Sequence, residues 1–441
     1  MIQRTAELKE LEEIYKKSGS TLTLIVANQR SGKEDLIKEF CKDKKAFYYR
    51  ARNASKELQL DILLKEAEDF VKEEIPVTSF EACFSAIADV KEEEKKIVLI
   101  LDEFQHMVKK ETDAFNAVAA LKEGKLSNND ACIILLNSLV SWTNKDMDDA
   151  LGAGVKAIDE RISLKDATFL EIVRAFPQFN VSECVKTYGV FGGVPKYLSY
   201  INPKRSIRDN IIENILDPNG PLFNEAEEFI SSELRELSVY DTILSSIARG
   251  NEKLNDLYLD TGYSRAKIIV YLKNLASFDV IEKVISFETG GWENAKKGVY
   301  RIKNHFVNFY FRFIYPNLSM LYVMDPKDFY QEYIAKELDN YLRPYFVDVC
   351  HEYLSLLNRM GKAPIRIKRM GTWVGKEGTI DVVGEDEERN YVVGICNWDK
   401  AMLSVSRYEE LLKNLELARI KADSIFLFSA TSFRSEEHTS E

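Results

Sequence analysis

Thr21-Leu-Thr-Leu-Ile-Val26, followed by Ala27-Asn-Gln-Arg30-Ser31-Gly32-Lys33-Glu34-Asp35, is the stretch on which the reading of this chain turns. Its first six residues are all apolar or β-branched, which predicts a strand buried on both faces. The next six break that run with polar residues and a glycine. After Lys33, Leu36, Ile37 and Phe40 recur at helical spacing. A strand, a loop and a helix therefore stand where the pattern G-x-x-x-x-G-K-S/T belongs. Such a loop binds phosphate because backbone N–H groups at a helix start surround the anion while the lysine reaches its outer oxygens.

Ala27, Arg30, Ser31, Gly32, Lys33, Glu34 and Asp35 are accordingly the candidate nucleotide-binding residues. Two of them depart from the pattern. Ala27 replaces the first glycine, at about 1 kcal/mol of strain only if its φ is positive. Glu34 replaces the residue whose hydroxyl would ligate Mg2+. A carboxylate about 4 Å from a phosphate oxygen repels it by up to ~4 kcal/mol at an effective dielectric near 20. Glu34 thus either rebuilds the Mg2+ site with a metal ion between the charges or weakens nucleotide binding. A second motif supports the first: Ile97-Val-Leu-Ile-Leu101 is an apolar strand ending in Asp102 and Glu103. Beside a phosphate loop, Asp102 is the expected metal residue and Glu103 the group that polarises an attacking water. Asn137, at the end of the next apolar strand, either senses the outer phosphate or caps its strand.

Working outward, Leu8, Leu11, Ile14 and Tyr15 predict an opening helix, and Ala46–Arg50 and Cys132–Leu136 predict further strands. Continuous apolar strands alternating with helices mean a parallel sheet covered on both faces. We expect this α/β core over residues 1–165 and a helical lid over 166–235, broken by Phe191-Gly-Gly-Val-Pro195. Over 236–299, Leu254–Leu259, the turn Thr261-Gly262-Tyr263-Ser264 and Arg265–Leu275 predict a helix-turn-helix, with a wing at Val280–Phe287. A last domain follows over 300–433. Residues 434–441, Arg-Ser-Glu-Glu-His-Thr-Ser-Glu, match the translation of a sequencing adaptor and are set aside; the run before them, Ser424–Ser429, reads as a buried strand.

The chain has 441 residues and a formal net charge of −11, so it cannot act as a whole as an electrostatic sponge for DNA. Any nucleic-acid contact must come from a local basic face, and Arg265, Lys267 and Lys273 on the second helix of the helix-turn-helix are the candidates. Asp256, Asp260, Asp279 and Glu282 offset them, so packing or protein contact competes with DNA there. Six cysteines without a CxxC pair fit reduced, mostly buried thiols, and four dispersed histidines do not suggest zinc. Cys350 and His351 point apart on a helix and read as packing and surface. No apolar run approaches the roughly 20 residues needed to span a bilayer. A cytoplasmic protein without a membrane partner is expected.

With these residues placed, the chain resembles a prokaryotic, archaeal-type family of AAA-like P-loop ATPases of the signal-transduction (STAND) branch. Members carry a winged helix and a C-terminal restriction-endonuclease-like domain. The resemblance covers nearly everything up to about residue 433. It rests on Arg4, Glu7-Leu8, Gly32-Lys33, Asp102-Glu103-Phe104-Gln105, Gly192-Gly-Val-Pro195 with Tyr197-Leu198, Tyr300-Arg-Ile302, Phe311-Arg-Phe313 with Tyr315-Pro316, Ile380-Asp381 and Trp398. It implies ATP and Mg2+ as cofactors, a lid bearing Gly-Gly-Val-Pro over the nucleotide, and an arginine near the outer phosphate, for which Arg161 is a candidate. An intact nuclease site of that type needs clustered carboxylates for Mg2+ and a lysine. Here only Asp381 remains, with Val347, Ile395 and Asn397 at the other positions, and Asp381 by itself reads as a turn residue. The resemblance therefore implies a nucleotide-dependent switch with slow or absent hydrolysis and no nuclease activity. A non-catalytic scaffold for protein or DNA, which no longer binds nucleotide, is the alternative.

Overall fold

A computed structural model describes residues 4–28, 30–90, 96–109, 111–287, 298–375, 378–398 and 403–431. The chain divides into two compact units. The first holds residues up to Asp166 together with Val194–Ser199; the second holds Ala167–Gly193 and everything from Tyr200.

The first unit is a five-stranded sheet of β1 (Thr21–Val26), β2 (Ala46–Arg50), β3 (Ile97–Asp102), β4 (Ala131–Asn137) and β5 (Glu160–Ser163), ordered β2-β3-β4-β1-β5. Every neighbouring pair is parallel. The alternation of side chains along each strand splits its apolar residues between two cores. Leu22, Leu24, Leu99, Leu101, Ile133 and Leu135 face one of them, and Ile25, Val98, Ile100, Ile134 and Leu136 face the other. Helices α1 (Thr5–Tyr15) and α2 (Lys33–Phe40) cover the second face with Leu11, Ile14, Leu36, Ile37 and Phe40. Three helices, α3 (Lys56–Val71), α4 (Phe80–Ala88) and, beyond the short α5 (Gln105–Val108), α6 (Asp113–Lys122), cover the first face. Each fully buried Leu, Ile or Phe contributes about 1.5–3 kcal/mol, which is why continuous apolar runs commit to this sandwich. Strand β5 carries no such run: only Ile162 of its four residues is buried, because it lies at the sheet edge.

The second unit begins with two helices, Phe169–Ala175 and Val181–Phe191, each opened by a capping box. The pair Gly192-Gly193 follows for a steric reason. Gly192 has φ +66°, and a Cβ on Gly193 would lie 2.0 Å from the Ala167 carbonyl oxygen. Further on, the helices Leu237–Ala248, Leu254–Thr261 and Arg265–Ser277 precede an antiparallel hairpin of β6 (Ile281–Val284) and β7 (Val299–Ile302). Phe306, Phe309, Phe311 and Phe313 are all buried. The long helix Leu338–Arg359 then leads into β8 (Arg369–Val374), β9 (Thr379–Glu385) and β10 (Tyr391–Asn397), each antiparallel to the next. Helix Val405–Ala418 crosses back so that β11 (Ala422–Ser429) joins β10 in parallel.

Two expectations change here. The run Ser424–Ser429 lies within β11, which is an edge strand with one neighbour and with Leu427 exposed, so it is not buried. Asp381 sits within β9, where its Oδ2 accepts the Cys396 N–H at 2.8 Å, so it is not a turn residue. The adaptor-like segment 434–441 lies outside the described residues.

Candidate functional site at the ends of β1, β3 and β4

Parallel order places the ends of β3 and β1 on either side of β4, with Asp102 opposite Leu136 and Val26 opposite Asn137. The loop after β1 closes into α2 through Gly32, whose φ of +75° is a left-handed conformation that favours glycine. Asn28 shapes the loop by accepting the Arg30 N–H on Oδ1 at 2.8 Å and the Ser31 hydroxyl on its carbonyl at 2.7 Å. Arg4 holds the loop from outside, donating through Nε and Nη2 to the Ser31 carbonyl at 3.2 and 2.7 Å. Lys33, the first residue of α2, is 1% exposed, and its ammonium donates to Asp102 Oδ1 and Glu103 Oε1, each at 2.7 Å.

The acidic pair is itself constrained. Glu103 has φ +54°, a left-handed conformation costing a non-glycine residue roughly 1–2 kcal/mol. Its Oε2 accepts hydrogen bonds from Ser138 Oγ and from Gln105 Nε2 at 2.7 Å, and Gln105 also donates to Ser138 Oγ at 3.1 Å. Burial pushes the Glu103 carboxyl up, but the Lys33 ammonium and the bonds from Lys33, Ser138 and Gln105 outweigh it and hold the group below its usual range. Asp102 Oδ2 accepts the Tyr48 hydroxyl at 2.6 Å. Burial, then that bond to a carboxylate, raises the Tyr48 phenol well above its ordinary value. Arg50, at the end of β2 and half exposed, approaches Asp102 at 3.7 Å and Glu103 at 3.8 Å.

The fold is shared with known proteins. Residues 1–201 match the family described as an ATPase domain predominantly from Archaea. The first unit has the fold of a P-loop ATPase. Residues 310–414 match a second family, described as archaeal and bacterial proteins of unknown function. An uncharacterized protein of Methanocaldococcus jannaschii is 26% identical over 422 residues, covering 96% of this chain and 90% of that one. A Walker-type ATPase of Pyrococcus abyssi superimposes with a TM-score of 0.50 at 18% identity, over 71% of this chain and 96% of its own. The ORC2 protein of Aeropyrum pernix, solved in ADPNP–ADP complexes, gives 0.46 at 13% identity over 71% and 92%.

Within the ATPase-type unit the structure brings together Ala27, Arg30, Ser31, Gly32, Lys33, Asp102, Glu103 and Asn137. Ala27 is absent from the positive-φ residues, so replacing glycine there carries no left-handed strain. Its N–H donates to the Asn137 carbonyl at 3.0 Å. The Asn137 side chain is fully buried; Nδ2 reaches Thr143 Oγ1 at 3.4 Å and Met147 Sδ at 3.3 Å, while Oδ1 has no hydrogen-bond partner among the described residues. Glu34 and Asp35 are exposed on the first turn of α2 and do not join the buried cluster. Arg161 lies on β5, paired with Asp148 at 2.6 Å. Pro195 packs on the loop: a Cβ on Gly32 would meet Pro195 Cβ at 3.4 Å, and the Lys196 N–H donates to the Arg30 carbonyl at 3.2 Å.

Sequence reading missed Tyr48, Arg50 and Ser138 and gave Gln105 no role. Only the order β2-β3-β4 could have revealed them, since Arg50 pairs in register with Asp102 and Ser138 follows Asn137.

In the second unit, the three candidate DNA contacts lie on helix Arg265–Ser277 and are exposed. Two of them are engaged: the Arg265 guanidinium sits 3.9 Å from the Tyr258 ring centre, and Lys267 Nζ sits 4.4 Å from that of Tyr263. His351 is partly exposed, and its Nε2 lies 2.8 Å from the Asp381 carbonyl oxygen. Burial raises the Asp381 carboxyl above its ordinary value. Among the described residues no group of three or more His, Cys, Asp or Glu side chains is placed to hold a metal ion. No described helix is long and apolar enough to cross a membrane.

Proposed function

We propose that this chain binds ATP with Mg2+ at the Gly32–Lys33 loop and uses nucleotide occupancy as a conformational switch, with slow or absent hydrolysis. The observation that carries this reading is the Lys33 ammonium, buried at a helix start and shared between Asp102 and Glu103 at 2.7 Å each. The first-turn N–H groups of α2 lack intrahelical acceptors, as at any helix start, and suit an anion. The residues present fit a nucleotide: Lys33 would hold its outer phosphates and Asp102 its Mg2+, and Asn137 Oδ1 is a buried acceptor without a donor among the described residues. Bound Mg2+ supplies charge neutralisation at the phosphates. For the chain's own part, Lys33 exchanges carboxylate partners for phosphate, Glu103 is left held by Ser138 and Gln105, and Arg50 stands beside both acids. Glu34 in the position of the usual hydroxyl supports slow turnover.

We further assign the segments as a core over 1–165, a lid over 166–235, a winged helix over 236–299 and a restriction-endonuclease-like domain over 300–433. The three helices followed by the β6–β7 hairpin support the winged helix. The order helix, three antiparallel strands, helix, parallel strand supports the nuclease-like domain. Asp381 there lacks carboxylate neighbours at Val347, Ile395 and Asn397, so no cleavage is assigned. DNA, through Arg265, Lys267 and Lys273, or a protein partner is the proposed readout, in the cytoplasm.

A fluorescent ATP analogue titrated with and without Mg2+ tests the switch. The wild type should bind, more tightly with Mg2+. Glu103→Gln should bind equally and turn over more slowly than wild type. Lys33→Ala, once shown by circular dichroism to be folded, should lose binding. The second reading, a scaffold without nucleotide, draws on Pro195 against Gly32 and on the acids already neutralising Lys33. Absence of wild-type binding at millimolar analogue would establish it.

A further inference from the structure

Two of the six cysteines meet in the second unit. Phe346 and Cys350 lie four residues apart on helix Leu338–Arg359 and so share one face; Cys396 lies on β10 and Trp398 two residues on, again on one side. These faces pack in two rungs. The Phe346 and Trp398 rings meet with centroids 5.3 Å apart, and the next pair along the same two faces is Cys350 with Cys396. Both cysteines are buried, at 3% and 9% exposure.

We propose that Cys350 and Cys396 are an oxidative modification site, a preset dithiol that a hydroperoxide closes into a disulfide joining the long helix to β10. Cys396, the more exposed, attacks the peroxide as thiolate; one oxygen is transferred to sulfur, giving a sulfenic acid, and the other leaves as hydroxide. Cys350 then attacks that sulfur, the S–S bond forms, and water leaves. Two thiols are oxidised, one hydrogen peroxide is reduced, and two waters are produced. The Cys350 side chain, and then burial, push the Cys396 thiol above its ordinary range, which makes it a slow nucleophile and a poor leaving group. The bond therefore forms slowly and, once made, resists exchange with small thiols.

The test uses the reduced full-length chain treated with hydrogen peroxide, then unfolded for thiol counting and for peptide mapping without reductant. Free thiols should fall from six to four. One linked peptide pair should contain positions 350 and 396, with a mass two hydrogens below the sum of its parts. The thermal midpoint of the oxidised wild type should rise. Cys350→Ser, folded as judged by its own midpoint, should show no such rise and no linked pair at Cys396. Six surviving thiols, a bond elsewhere such as Cys41–Cys132, or sulfinic acid at Cys396 with Cys350 still free would each overturn the proposal. The wild-type map decides even if the variant fails to fold.

Discussion

Lys33 is the residue around which the first unit's acidic pair is arranged, and its burial makes it a structural group whatever the proposed site binds. Removing one partner from a buried ion pair leaves the other charge uncompensated, at roughly 3–5 kcal/mol. Lys33→Ala strands two carboxylates, so urea unfolding of the nucleotide-free variant should show a loss of at least that order; a loss under about 1 kcal/mol would mean the acids find other partners. The pH dependence follows from Glu103. Its folded pKa is depressed, so its stabilisation is fully present above the ordinary carboxylate value and lost only as pH falls through the lower folded one. Sequence reading identified Lys33, Asp102 and Glu103 because each sits in a local pattern. It could not find Tyr48, Arg50 or Ser138, whose neighbours are 35 to 54 positions away.

Elements were legible where apolar residues are continuous or periodic, as in β1, β3, β4, α1 and α2. Strand β5 and the edge position of β11 were not, because edge strands bury little and their sequences carry little signal. Helix packing also sets titrations that no pattern announces. Asp241 on helix Leu237–Ala248 has its carboxyl pushed up to about 6, by burial and then by Glu227 on helix Glu225–Glu233. Tyr310 donates to Glu227 at 2.5 Å, fixing that acid nearby. A raised carboxylate contributes stability that is fully present below its unfolded value near 4 and is lost as pH rises through about 6. Asp241→Asn should thus unfold at higher urea than wild type at pH 7, by roughly 1–2 kcal/mol after allowance for solvent screening, and match it near pH 4. Equal stability at pH 7 would show that the carboxylate ionises there without cost.

For the whole molecule, net charge and the engaged cations limit any role on DNA. Three exposed cations on one helix can neutralise about three phosphates, so log affinity for duplex DNA against log salt should slope no more steeply than about −2.7. A slope of −6 would reveal a basic surface elsewhere in the chain. Plasmid incubated with the chain and Mg2+ should remain uncut, since Asp381 stands without carboxylates at the neighbouring positions; nicking abolished by Asp381→Asn would refute this. The connectivity is equally a property of the whole. The chain enters the second unit after Asp166, returns to the first for Val194–Ser199 and leaves again, and that short return sets Pro195 against Gly32.

Taken alone, the amino-acid sequence determined the parallel α/β core, the loop between β1 and α2, the acidic end of β3 and the two helices on either side of Gly262. Each of these is written in residues close together, as spacing, polarity and turn chemistry. Tertiary structure decided which side chains converge: Tyr48 and Arg50 on the acids, Ser138 and Gln105 on Glu103, Pro195 on the loop, Cys350 on Cys396. Strand order and helix docking bring these groups together, and both arise from burying apolar surface across the fold, a non-local balance that no short stretch encodes.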